Sequence, residues 1–299
     1  METSKHNFGA PEFANTDQLI ELACAEDLGD LGDITSKATI PAQAEGRAAL
    51  VARAPGILCG LPVLQRVADR FQVFIEPPSN NAPQDGTAVS HGEILRHIKG
   101  PMRAILAFER TALNFLQRLS GIATQTHHFV QAVHGTHAAI LDTRKTTPGW
   151  RILEKYAVRC GGGQNHRIGL YDAILIKDNH LAFLADHPDP IGAAVTRARK
   201  AYPNTSVEVE VTSLAQLERA LACAPDLILL DNMTVETMTQ AVARRNQSGK
   251  RIQLEASGGV NLQTVRAIAQ TGVDRISVGA LTHSVPALDL ALDVELEKS

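Results

Sequence analysis

The sequence predicts an α/β fold in two parts. Its second half carries six short apolar runs, each closing on a polar or Gly-rich end. They are Ile140-Leu141-Asp142-Thr143-Arg144-Lys145, Ala173-Ile174-Leu175-Ile176-Lys177, Val207-Glu208-Val209-Glu210-Val211, Leu227-Ile228-Leu229-Leu230-Asp231, Gln253-Leu254-Glu255-Ala256-Ser257-Gly258-Gly259 and Arg275-Ile276-Ser277-Val278-Gly279. Apolar runs of about four to six residues between polar or Gly turns suit strands buried on both faces. Helical patterns lie between the later runs, and the first third is α+β with a small sheet of its own. Six strands are two short of a complete (β/α)₈ barrel, so either two more are hidden or the barrel is open.

At 299 residues the chain has room for one large domain or two ordinary ones. Hydrophobic residues make up 44% and charged residues 20%, enough for a sizeable core. The formal net charge of −3 argues against a general nucleic-acid or anionic-membrane surface, so any anion site must be a local concentration of cations. None of Cys24, Cys59, Cys160 and Cys223 forms a C-x-x-C pair, and neither a zinc site nor a disulfide framework is expected. Residues Met1 to Asn15 are polar and lack the apolar stretch of a signal peptide, and no run is long enough to cross a bilayer. A cytoplasmic protein is expected.

In chain order, residues 1–15 read as a flexible tail and Asp17 to Ala25 as a helix. Glu26 to Ser36 reads as a Gly-rich acidic loop. Strand-like segments follow at Ala48 to Ala52, Gly56 to Cys59, Val73 to Ile75 and Thr87 to Ile98, with Pro77-Pro78 and Asn80-Asn81 marking a loop. Met102 to Leu119 is the clearest helix, with Ile105, Phe108, Ala112, Phe115 and Leu119 on one stripe. Arg103 and Arg110 lie roughly opposite that stripe. Helix geometry alone reads them as solvated, the other reading being a face turned to a partner subunit. Further helices are expected at Ile191 to Ala201, Leu214 to Cys223, Val235 to Arg245 and Leu262 to Gln270. Thr212 or Ser213 and Asn261 stand where caps belong. The period-two tail Leu288 to Val294 favours a strand returning to the first domain, with a helix as the alternative.

In a parallel barrel every strand's C-terminal end opens on one mouth. Arg144, Lys145, His166, Arg167 and Lys177 would converge there. Burying one unpaired cation costs several kcal/mol, so five together are either largely solvated or meet an anion. Glu210 and Asp231 end neighbouring runs. Two such carboxylates hold Mg²⁺, accept hydrogen bonds from sugar hydroxyls, or work as acid and base; the plainer reading pairs them with Lys177. Ser257-Gly258-Gly259 and Gly279-Ala280 offer backbone N–H groups to a phosphate at the ends of the last two strands. His283 and His166 are the histidines nearest the mouth. From the residues alone this is a barrel enzyme for a phosphorylated, strongly anionic small molecule. A Schiff-base aldolase using Lys177 and a non-catalytic metabolite-binding protein are the other classes.

Several segments resemble the quinolinate phosphoribosyltransferase family. They are Thr143-Arg144-Lys145-Thr146-Thr147-Pro148-Gly149, Gly161-Gly162-Gly163-Gln164-Asn165-His166-Arg167, Ile176-Lys177-Asp178-Asn179-His180, Glu208-Val209-Glu210-Val211, Leu230-Asp231-Asn232-Met233, Glu255-Ala256-Ser257-Gly258-Gly259 and Ser277-Val278-Gly279-Ala280-Leu281-Thr282-His283. Upstream the likeness extends to Glu26-Asp27-Leu28-Gly29-Asp30, Gly32-Asp33-Ile34-Thr35 and Glu109-Arg110-Thr111-Ala112-Leu113-Asn114. The resemblance implies an N-terminal α/β sandwich domain and an open (β/α) TIM-like barrel of about six to seven parallel strands. The implied boundaries are a tail at 1–15, a first domain of 16–112 with 284–299, and a barrel of 113–283.

The resemblance also implies the reaction: phosphoribosyl transfer from phosphoribosyl pyrophosphate to quinolinate with Mg²⁺, giving nicotinate mononucleotide, pyrophosphate and CO₂ in de novo NAD biosynthesis. By motif, Arg110, Arg144, Arg167 and Lys177 line the quinolinate site with His166 beside it, and Thr143 belongs to the same substrate-binding set. Lys145 lies toward the pyrophosphate. Glu210 and Asp231 meet the ribose hydroxyls, directly or through Mg²⁺. Ser257, Gly258 and Gly259 with Val278, Gly279 and Ala280 hold a phosphate. Lys145, Lys177, Glu210 and Asp231 are the implied catalytic set. The family is built as a homodimer in which the helix arginine, here Arg110, enters the neighbour's site, which reverses the solvated reading of Arg110; a hexamer stays open. Nicotinate phosphoribosyltransferase and the molybdenum-associated relatives on the same fold are the main alternatives.

Overall fold

A computed structural model describes residues 6–79 and 81–295. Along the chain the elements are α1 (Ala10–Leu28), α2 (Ile34–Thr39), β1 (Glu45–Ala52), β2 (Gly56–Ile57), α3 (Leu61–Phe71), β3 (Phe74–Ile75), β4 (Ala88–Val89), β5 (Ile94–Pro101) and α4 (Met102–Ala132). There follow β6 (Ala139–Leu141), α5 (Arg151–Cys160), β7 (Ile174–Ile176), α6 (Asp178–Ala182), α7 (Pro190–Ala201), β8 (Val207–Val211), α8 (Leu214–Cys223), β9 (Leu227–Asp231) and α9 (Val235–Gln247). The chain ends with β10 (Gln253–Ser257), α10 (Val265–Gln270), β11 (Arg275–Ser277), α11 (Ala280–His283) and β12 (Leu290–Glu295). None of the described helices is long and apolar enough to cross a membrane.

Two compact units emerge. The first comprises residues up to His127, Thr146–Gly162 and the stretch from Ser284 onward; the second comprises His128–Lys145 and Gly163–His283. The division differs from the expected boundary at 112/113: most of the long helix and the whole of α5 belong to the first unit. The expected tail also shortens, because α1 starts at Ala10. Residues 1–5, Asn80 of the expected loop, and 296–299 of the expected first domain lie outside the described residues.

The first unit is built on an antiparallel sheet in the order β12-β1-β5-β3. The period-two reading of the C-terminal segment holds, with Ala52 opposite Leu290 and Arg47 opposite Glu295. Alternation puts Leu288, Leu290 and Leu292 into the core. On α4 the apolar stripe is buried as expected, including Ile105, Phe108 and Leu119. The helix runs thirteen residues past Leu119, because Gly121 does not break it and Ile122, Ala123 and Phe129 continue the buried face. Arg103 is not a freely solvated arginine: it donates to the carbonyls of Ile40 and Lys37. All four cysteines are free. Cys59 and Cys160 nevertheless lie close to each other and to Asp85, whose carboxylate accepts the Gly60 and Leu61 N–H groups at the start of α3 and the Tyr156 hydroxyl.

One glycine sets a close approach in this unit. A methyl group on Gly161, just past α5, would sit 2.4 Å from the Ala123 carbonyl oxygen and 2.6 Å from Thr126 Cβ on α4. Gly161→Ala is expected to cost about 1–3 kcal/mol, as overpacking does in a close-packed interior. A thermal melt measures it, and an unchanged midpoint would mean that α4 and α5 separate without cost.

The second unit holds all six expected strands in one parallel sheet, ordered β6-β11-β10-β9-β8-β7. The end strands β6 and β7 do not pair, so the barrel is open, with six strands among the described residues. Helices α7, α8 and α9 fall where the pattern placed them, and Ser213 caps α8 by accepting the Gln216 N–H. The helix expected from Leu262 begins only at Val265. The Asn261 side chain instead accepts from the Gln263 and Thr264 N–H groups and holds a turn. On β8 the valines are fully buried on one face while Glu208 and Glu210, 5% and 8% exposed, share the other.

Candidate active site

The parallel strands of the second unit deliver their C-terminal ends to one side, and a cavity of about 450 Å³ opens there. It is lined by Thr143, Arg144 and Lys145 beyond β6, by Lys177 beyond β7, and by Glu210 and Asp231 on β8 and β9. His166 and Arg167, and the Ser257, Gly258 and Gly259 turn after β10, complete it. Eleven of the fifteen residues expected at the site are thus brought together. Val278, Gly279 and Ala280 are not in its lining: Val278 is buried and donates its N–H to the Leu141 carbonyl. Gly279 packs under the mouth, where a methyl group would come 3.1 Å from both Lys145 Cδ and His283 Nε2. Arg110 lies in the first unit, exposed in a cleft that includes Glu26, Asp27, Asn114 and Trp150.

Cations crowd this mouth. Burial lowers the Arg167 pKa, and the neighbouring Arg144 charge lowers it further. Arg167 is anchored by donating to the Ala173 carbonyl at 3.0 Å. Two arginines at close quarters favour an anion between them. Lys177 contacts Glu210, in line with the plainer reading of this carboxylate. Asp231 is engaged through Oδ2, which accepts from Asn232 Nδ2 at 2.8 Å. Glu210 makes its contact to Lys177 through Oε2 and Asp231 its contact to Asn232 through Oδ2, and carboxylate oxygens are hard ligands of the type that suits Mg²⁺.

His166 stands on a buried charged cluster that sequence reasoning missed. Its Nε2 lies 3.2 Å from Glu208 Oε2 and 3.3 Å from Glu255 Oε1, and Arg275 donates Nε to Glu255 Oε2 at 2.8 Å. The Arg167 N–H donates to Nδ1 at 2.8 Å, so the Nε2 proton faces both carboxylates. Burial pulls the imidazole pKa down. The hydrogen bonds to Glu208 and Glu255 outweigh it and hold the ring up at about 9, while the Nδ1 contact opposes that rise. Asp142, fully buried, accepts the His166 N–H at 2.8 Å and Asn165 Nδ2 at 2.6 Å and so fixes the loop. One signal for these residues was present. In Val-Glu-Val-Glu-Val the alternation that turns Glu210 inward turns Glu208 inward too.

A parallel α/β unit with cations, two carboxylates and a glycine turn at its strand ends defines an enzyme class, one that works on an anionic, phosphorylated small molecule. Comparison with known proteins narrows it. Residues 33–120 match the family described as "Quinolinate phosphoribosyl transferase, N-terminal domain" and residues 122–293 its C-terminal domain. The "Nicotinate-nucleotide pyrophosphorylase [carboxylating]" of Mycobacterium leprae is 44% identical over 283 residues, 95% of this chain and 98% of that one. The "Quinolinate phosphoribosyltransferase [decarboxylating] 1b" of Nicotiana tabacum is 38% identical, covering 93% of this chain and 82% of that one. Among solved structures, the nicotinate-nucleotide pyrophosphorylase of Francisella tularensis superposes with a TM-score of 0.87 at 40% identity, over 98% of this chain and 100% of that one. The chain belongs to the quinolinate phosphoribosyltransferase family.

Proposed function

We propose that this chain transfers the phosphoribosyl group of phosphoribosyl pyrophosphate to quinolinate and releases CO₂, giving nicotinate mononucleotide and pyrophosphate for de novo NAD synthesis in the cytoplasm. The carrying observation is the cavity itself, in which Arg144, Arg167 and Lys177 stand together with Glu210 and Asp231. Three cations beside one another suit two carboxylates on one ring better than the single carboxylate of nicotinate. A Schiff-base role for Lys177 fits less well, since an amine nucleophile works from a mainly apolar pocket and Lys177 sits against Glu210.

Arg144, Arg167 and Lys177 hold the dicarboxylate, with His166 at its side. Lys145 meets the pyrophosphate, and the N–H groups of the Ser257, Gly258 and Gly259 turn meet a phosphate. Glu210 and Asp231 accept the ribose hydroxyls and would hold Mg²⁺, which when bound would offset the pyrophosphate's negative charge. As the C1–O bond to pyrophosphate breaks, positive charge grows on the ribose, and the two carboxylates stabilise it. The pyridine nitrogen, held in line by the cation set, forms the new bond to C1. Its positive charge then stabilises the electron pair left on the ring carbon when the adjacent carboxylate departs as CO₂, and a proton replaces it. Offered quinolinate or nicotinate in turn, the protein should favour quinolinate by more than about hundredfold in kcat/KM. Comparable use of nicotinate would sink the assignment.

Arg110 completes the site from a second subunit of a homodimer. Its exposure on α4, in a cleft of the first unit, supports this reading. Arg110→Ala and Lys145→Ala should each be inactive alone, while mixed subunits regain about a quarter of the activity, the share of intact sites expected from random pairing. Mixtures that stay inactive would mean that Arg110 serves its own chain.

A further inference from the structure

Asn232 lines the cavity directly after Asp231, yet the function derived above gives it no task. Three residues other than glycine adopt a left-handed backbone among those described: Gln72, Ala224 and Asn232. Gln72 and Ala224 each follow the last residue of a helix, where this conformation is the ordinary way to stop. Asn232, with φ of 52°, ends a strand, so helix termination does not explain it. A residue held in this region marks a place where the surroundings impose the conformation, often for function.

The surroundings name the purpose. Asn232 Nδ2 donates to Asp231 Oδ2 at 2.8 Å, and its backbone N–H donates to the Ser257 carbonyl at 2.9 Å. The other end of the amide faces Gly258: a methyl group there would fall 2.2 Å from Asn232 Oδ1 and 3.0 Å from its backbone N. Gly258 itself has φ of +99°. The left-handed turn thus lets one amide reach both the carboxylate at the end of β9 and the glycine turn at the end of β10. Without the amide, Asp231 loses this hydrogen bond to its Oδ2.

We propose that Asn232 is a positioning residue that fixes the Asp231 carboxylate relative to the Ser257–Gly259 turn, an inference that rests on the phosphoribosyl-transfer reading. It makes the carboxylate that meets ribose and Mg²⁺ and the turn that meets phosphate a single preorganised unit. Asn232 touches no reacting atom in this role.

The test compares Asn232→Gly and Asn232→Asp with the parent chain. Glycine adopts the left-handed conformation freely, so Asn232→Gly removes the amide without a backbone cost. Its thermal midpoint should match the parent's while kcat falls about tenfold, the scale of one hydrogen bond to a charged group. The Mg²⁺ concentration for half-maximal rate should rise, and calorimetry should show weaker phosphoribosyl pyrophosphate binding with quinolinate binding unchanged. Asn232→Asp keeps the shape but sets two carboxylates against each other, and should lose more than Asn232→Gly. An Asn232→Gly variant within about twofold of the parent in kcat and Mg²⁺ dependence, or equal weakening of both substrates, overturns the proposal. A parent chain that turns over neither substrate overturns the functional reading itself, a separate outcome.

Discussion

Lys145→Ala will lose most of its turnover while the protein stays folded. Lys145 is exposed just past β6 and lines the cavity. Its backbone contacts do not depend on the side chain: the N–H donates to Thr143 Oγ1 and the carbonyl accepts from Thr282 Oγ1. Truncation therefore leaves the loop in place and removes only a cation on a long stem. Folding stability should change by less than about 0.5 kcal/mol, as for surface substitutions generally. In phosphoryl and pyrophosphate chemistry, by contrast, a cation aimed at a leaving group is worth about a hundredfold or more, because it acts where charge develops in the transition state. Steady-state kinetics with a melting curve on the same preparation separates the two effects. A near-normal rate would remove Lys145 from the mechanism.

Glu210→Ala should show a loss of similar or larger size by a different route. The carboxylate is only 8% exposed on the inward face of β8 and contacts Lys177. Its removal takes away one of the two groups that stabilise positive charge on the ribose and also leaves Lys177 without that partner. The Lys177 side chain is 42% exposed, so solvent screens it and the stability change should stay within about 1 kcal/mol. Turnover should fall by more than about a hundredfold. Glu210→Gln preserves the shape and isolates the charge. If Glu210→Gln keeps the parent's rate, charge stabilisation at this position is not part of the chemistry.

Much of this fold could be read from the sequence, for a specific reason. The six barrel strands are apolar on the helix-facing side and short, so each appears as a compact run with a polar end, and those polar ends are the mouth. Two of the helices that went unread, α5 and α3, show why. Helix α5 buries Glu154 and Lys155 as well as Leu153 and Tyr156, so its buried face does not look apolar. Helix α3 opens on Gly60 and Pro62, which read as turn signals although proline is tolerated in a first helical turn. Most of the cation set and the carboxylate pair were legible because Arg144, Lys145, Lys177, Glu210 and Asp231 sit at or near strand ends, while His166 and Arg167 follow a glycine run. The cluster behind His166 was not: Glu208, Glu255 and Arg275 lie within strands, and only the assembled sheet sets their side chains against one another. Asn232 likewise looks like an ordinary loop residue until its backbone conformation is known.

The central claim is that this cavity couples ring attachment to loss of a carboxylate. The most direct measurement is CO₂ release from quinolinate labelled in the carboxyl group next to the ring nitrogen, with Mg²⁺ and with or without phosphoribosyl pyrophosphate. Label should leave only when both substrates are present, in step with nicotinate mononucleotide. No release with both substrates, or equal release without phosphoribosyl pyrophosphate, would contradict it.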